Sequence, residues 1–156
     1  MNSAWKYARF ADVIYAGDDC WWEQYGAEID IPAERWTCLE NTALTYGINR
    51  HGKFRGVTNS GAMAIQFSID AGAARVLMLG YDCSVARGTH FHGDHLKTKN
   101  PDEKRCQQWQ VHFSALAAHA ENAGTTIINC SKETALACFV RMPLAAALRV
   151  SGVNCD

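Results

Sequence analysis

Apolar residues fall along the chain in short runs, separated by polar turns and by stretches with helical spacing. VIYA, inside FADVIYAGDD (10–19), ends in Gly and two Asp and predicts a buried strand followed by a loop. CWWEQYGAEI (20–29) predicts a helix with Asp18 or Asp19 as its N-cap. ERWTCLE (34–40) predicts a second short strand, and NTALTYGINRHGKFRG (41–56), broken by Gly and Asn, a weak helix or a loop.

The clearest pattern is VTNSGAMAIQFSIDAGAARVLMLGYD (57–82). T-N-S-G supplies good N-cap residues for a helix whose stripe is Ala62, Ile65, Ile69 and Ala73, with Gly72 as its stop. RVLMLGYD (75–82) is a continuous apolar run, as in a parallel strand buried on both faces. Residues 83–105 show no apolar periodicity and predict a long loop of the functional kind. RCQQWQVHFSALAAHAENAG (105–124) predicts an amphipathic helix with Trp109, Phe113, Leu116 and Ala120 as its stripe and Gly124 as its end. TTIINCS (125–131) predicts a buried strand, KETALACFV (132–140) a helix following Ser131, and PLAAALRV a last helix opened by Pro143. Strands alternating with helices imply an α/β fold, an open and mostly parallel sheet with helices on both faces.

Length and composition fit that class. The 156 residues suit one domain, 1–156, with 48% hydrophobic and 20% charged residues. The net charge of −1 gives no global field for nucleic acid or anionic lipid, so neither is expected as a partner. The charge is uneven, and residues 52–156 hold the basic excess that an anionic ligand would prefer. No apolar run approaches the roughly 20 residues of a bilayer span, and MNSAWKYARF lacks the apolar segment of a signal peptide. The 7 cysteines form no C-x-x-C and predict buried free thiols in a reducing cytoplasm.

In an open α/β sheet, ligands bind at the C-terminal ends of the strands. The informative polar residues are then Asp18 and Asp19 after VIYAG, Thr58-Asn59-Ser60-Gly61, Asp82 after VLMLGY, and Asn129-Cys130-Ser131 after TII. The T-N-S-G turn at a helix N-terminus fits a phosphate or carboxylate, unless it is a plain N-cap. Asp82 suits a ribose hydroxyl or a base, unless it anchors its own loop. Trp21 and Trp22 read as core packing in preference to a stacking pair.

GTHFHGDHL (88–96) contains T-H-x-H-x-D-H, the spacing of dinuclear zinc hydrolases. Its context argues against that chemistry. The motif follows its strand only after a loop, and the downstream His112 and His119 share one helix. No bound metal is therefore expected. His90, His92 and His95 read instead as candidates for proton transfer or for contact with an anionic substrate.

TNSGAMAIQFSIDAGAARVLMLGYDC, GTHFHGDH, the Trp and Phe of the following helix, and IINCSKETALACFVRMPLAAAL together resemble a phage and bacterial family. That family is related to Campylobacter-type sialyltransferases and to 6-hydroxymethylpterin pyrophosphokinase-like proteins. NSAWKYARFADVIYAGDDCWW is also similar to it. The resemblance implies a Rossmann-like domain that transfers a group from a nucleotide-sugar donor. Thr58, Asn59, Ser60 and Gly61 would approach the donor, with Asp18 beside them. Asp82 would lie at the site edge, His92 or His95 would act as base, and Asn129 and Ser131 would line the far wall. Members of the family usually begin with a strand and a G-x-G-P-S turn, which this chain lacks. That departure is expected of either a truncated product or an N-terminally shortened relative that has lost donor binding, with an uncovered sheet that a homodimer would close. It also leaves open a second function, a non-catalytic phage-encoded module that binds a host protein in the host cytoplasm. A zinc-dependent hydrolase is the third.

Overall fold

The computed structural model describes residues 2–52, 59–86 and 100–150. Its elements are β1 (Val13–Tyr15), α1 (Asp19–Tyr25), β2 (Glu34–Thr37), α2 (Glu40–Tyr46), β3 (Asn49–Arg50), α3 (Ser60–Asp70), β4 (Arg75–Met78), α4 (Glu103–Asn122), β5 (Thr126–Asn129), β6 (Val140–Arg141) and α5 (Leu144–Arg149). The strands form two open sheets of three, ordered β1-β2-β3 and β4-β5-β6, and every pairing is parallel. The fold is thus mixed α/β and compatible with a Rossmann-like class. The chain clusters into two compact units, Met1–Phe67 and Ser68–Asp156. No helix among the described residues is long and apolar enough to cross a membrane.

In the first unit, successive residues of β1 point to opposite faces of its sheet. Ile14 and Ala16 join Trp5, Trp21, Trp22, Ile29 and Ile31 in an apolar core. Trp21 and Trp22 meet edge to face at 5.1 Å, and the Trp22 indole N–H donates to the Ala16 carbonyl at 2.9 Å. Both side chains are therefore core, as expected from the sequence. On the opposite face, Tyr15 is paired in register with Trp36 of β2, and both pack against Phe67 of α3.

In the second unit, α4 buries Cys106, Phe113, Leu116 and Ala120, leaving Trp109 half-buried. Asp102 caps its start by accepting from the Arg105 N–H at 2.7 Å, two residues earlier than the periodicity suggested. Gly72 and Gly124, the predicted helix stops, have φ of 83° and 72°, where a side chain would be strained. β4 ends at Met78, and Leu79 beyond it is exposed, so the apolar run is longer than the strand.

One predicted element is absent. Residues 132–140 are not a helix but a series of bends leading into β6. The backbone N–H groups that would make the first helical bonds are captured elsewhere. Ala135 N–H donates to the Asp82 carbonyl at 2.7 Å, and Leu136 N–H to Thr134 Oγ1 at 3.1 Å. Side-chain oxygens that offer the backbone an alternative partner disfavour a helix in this way.

Candidate functional site

Two groups of polar residues stand at strand ends, one in each unit. In the first, β1 runs into Gly17 and Asp18, and α3 begins at Ser60. Asn59 is the N-cap, its Oδ1 accepting from the Ala62 N–H at 3.1 Å. Ser60 is thereby released for another task. Its Oγ accepts from the Gly17 N–H at 3.0 Å and donates to Asp18 Oδ2 at 2.9 Å. A Cβ built on Gly17 would lie 2.8 Å from Met63 Sδ and 3.3 Å from Ser60 Oγ, so glycine is what lets the strand end approach α3 this closely. Cys38, at the end of β2, places its thiol 3.8 Å from the Gly17 carbonyl. Asp19 accepts from the buried Thr42 hydroxyl at 2.7 Å, which fixes the start of α1 against α2.

The product is an exposed carboxylate, Asp18, on a scaffold whose own hydrogen bonds are made. A carboxylate bonded at the first residue of α3 stands where the helix dipole would otherwise attract a phosphate. This arrangement favours hydroxyl donors over anions. Within T-N-S-G the cap is thus Asn59, while Ser60 bonds Gly17 and Asp18 and not its own helix, and the polar group offered to solvent is Asp18. Gly61 is buried in the first turn of α3. Thr58 lies outside the described residues.

In the second unit the strand-end residues act on each other. Asn129 is 0% exposed. Its Nδ2 donates to the Tyr81 carbonyl at 3.3 Å and to Thr134 Oγ1 at 3.0 Å, and its Oδ1 accepts from the Ser131 N–H at 3.0 Å. Ser131 Oγ accepts from the Tyr81 N–H at 2.8 Å, and the Thr134 hydroxyl donates to the Tyr81 carbonyl at 2.7 Å. The loops after β4 and β5 are laced together, and both amide hydrogens of Asn129 are committed. Asp82 follows with an exposed side chain, its carbonyl held by Ala135.

Cys83 comes next, with φ 51°, a left-handed conformation unusual for a residue with a side chain. Its thiol donates to the Cys106 carbonyl at 3.5 Å. Burial first, and then the neighbouring Cys106, Asp82 and Cys138, push that thiol up to about 12. The six described cysteines are free thiols, but only Cys38 and Cys106 are buried, and Cys20 is exposed.

His90, His92 and His95 lie outside the described residues. Among the described residues, no group of three or more His, Cys, Asp or Glu could hold a metal ion. His119 is engaged with Asp70, Nε2 to Oδ1 at 3.5 Å. Of the expected site residues, Asp18, Asn59, Ser60 and Gly61 belong to the first unit and Asp82, Asn129 and Ser131 to the second. Gly17 and Thr134 were not singled out in the sequence. A single Gly directly after an apolar run was the available signal for the first. Comparison with known proteins finds no match to the chain, whether among family models, curated sequences or solved structures.

Proposed function

We propose that the chain is a nucleotide-binding, glycosyltransferase-like domain that takes a nucleotide-sugar at the C-terminal end of β1. The observation that carries this reading is the relay from the Gly17 N–H through Ser60 to the exposed Asp18 carboxylate. Ligands of parallel α/β folds gather at such strand ends. A carboxylate held rigidly there is suited to accept from the hydroxyls of a ribose or a sugar. Phosphate contacts fall to residues other than Asp18.

Thermal melting with CMP, CDP and their sugar conjugates tests the proposal. A ligand bound to the native state at about a hundredfold over its Kd adds about 2.7 kcal/mol. For a chain of this size that raises Tm by about 5–10 °C. No shift with any of them at millimolar concentration counts against the reading.

A second reading, a protein-binding module, is favoured by two aromatic side chains near the N-terminus. Tyr7 is 75% and Phe10 88% exposed. Exposed aromatics are typical anchors of protein interfaces. If that reading holds, a pull-down on the intact chain retains a partner that the Phe10→Ser variant loses. Identical retention by both rules Phe10 out as the anchor.

A further inference from the structure

The face of the first sheet opposite the tryptophan core carries a cluster of rings. The β1–β2 register puts Tyr15 beside Trp36. β3 then delivers His51, whose backbone N–H bonds to the Thr37 carbonyl at 2.8 Å. The His51 ring meets Tyr15 edge-on at 6.2 Å. Phe67 lies 4.9 Å from Trp36, 5.4 Å from His51 and 5.8 Å from Tyr15. Trp36, His51 and Phe67 are only half-buried, and the Trp36 indole N–H is anchored on Glu34 Oε2 at 2.8 Å.

Tyr15 differs from these three. It is 3% exposed, and its hydroxyl has no hydrogen-bond partner among the described residues. A buried hydroxyl left unpaired costs about 1–3 kcal/mol, and such groups call for a specific explanation. Aromatic walls with one converging polar group are what small-molecule sites are made of. Tyr15 also stands three residues before Asp18, about 10 Å along an extended chain at most.

We infer that the Tyr15–Trp36–His51–Phe67 cluster is the base subsite of the first unit. A planar heteroaromatic ring stacks against the half-buried rings and accepts a hydrogen bond at its edge from the Tyr15 hydroxyl, while its ribose reaches toward Asp18. Burial pushes the Tyr15 phenol well above its ordinary value, so it stays protonated and able to donate at neutral pH. The inference rests on the nucleotide reading above and adds where the base lies and what fixes its edge.

The test titrates the intact chain with cytidine, uridine and adenosine, which carry no phosphate, and with the nucleotide-sugars that shift melting. Tyr15→Phe removes one oxygen and fills the same space. It is expected to weaken nucleoside binding about five- to tenfold, the worth of one neutral hydrogen bond. The unliganded Tm should stay equal or rise, because an unpaired hydroxyl is gone. Trp36→Leu is expected to weaken binding about tenfold or more through lost stacking.

A Tyr15→Phe variant that melts several degrees lower but binds unchanged overturns the inference, because the hydroxyl is then merely structural. Nucleotide-sugar binding that survives unchanged in both variants overturns the inference and leaves the proposed function standing. A wild-type chain that binds neither nucleosides nor nucleotides overturns both.

Discussion

The two strand-end clusters are made of the same residue types and come out differently. At the end of β1, one hydroxyl, Ser60, joins a backbone N–H to a carboxylate that faces solvent. At the ends of β4 and β5, Asn129, Ser131 and Thr134 hold the Tyr81 backbone on both its N–H and its C=O. The first cluster leaves accepting capacity on Asp18. The second leaves no donor on Asn129. A polar residue after a strand is thus a ligand group only if the surrounding turns have other means of satisfying their own backbone. In the proposed reading, binding falls to the first cluster and loop stability to the second.

The hardest test of that division is Asn129→Ala. It orphans the Ser131 N–H and leaves the Tyr81 carbonyl and the Thr134 hydroxyl each short of one donor, and a loss of about 2–4 kcal/mol is expected in urea denaturation. A loss under about 0.5 kcal/mol would mean that the lacing is not structural. Ser60→Ala removes the partner of the half-buried Gly17 N–H, so about 1 kcal/mol should be lost. Unlike the change at Asn129, it should also weaken any ligand held through Asp18.

Alkaline pH probes the second cluster in another way. The Cys83 thiol titrates at about 12 in the fold against 9.0 ordinarily. Below pH 9 both states are protonated and its contribution is complete. Between pH 9 and 12 the unfolded chain releases a proton that the folded chain keeps, so stability falls as pH rises. Tyr81, also raised by burial, acts in the same direction above pH 10. Urea midpoints at pH 8 and pH 10.5 should differ less in Cys83→Ala than in the parent chain. An identical difference in both would remove Cys83 from the account.

Much of the architecture was legible because long elements announce themselves by period. The α3 stripe of Ala62, Ile65 and Ile69 is buried as its spacing required, and so are Phe113, Leu116 and Ala120 of α4. β3 and β6 were not legible. Each is two residues long, Asn49–Arg50 and Val140–Arg141, and exposed throughout, so no alternation marks them. The stretch 132–140 misled because Leu136 and Phe139 sit at helical spacing and are indeed buried. Spacing alone did not show that Thr134 and Asp82 would take the N–H groups needed for a helix.

The strand-end residues were legible as a set and not by role. Asp18 and Asn129 each follow an apolar run, yet one is exposed and the other sealed. That difference arises from Thr134, which carries no signature of its own, and from Gly17, marked only as a single Gly after an apolar run. The ring cluster around Tyr15 depends on strand register, which periodicity does not supply.

Asp18→Asn gives the smallest stability change of the set and the largest expected change in binding. Its side chain is exposed, so folding should shift by less than about 0.5 kcal/mol. The direct measurement is the melting temperature of the parent and of Asp18→Asn, each with and without a saturating CMP- or CDP-sugar. A rise of about 5–10 °C is expected in the parent, most of it lost in the variant, with unliganded values that coincide. No rise in the parent, or an equal rise in both proteins, would contradict the proposed function.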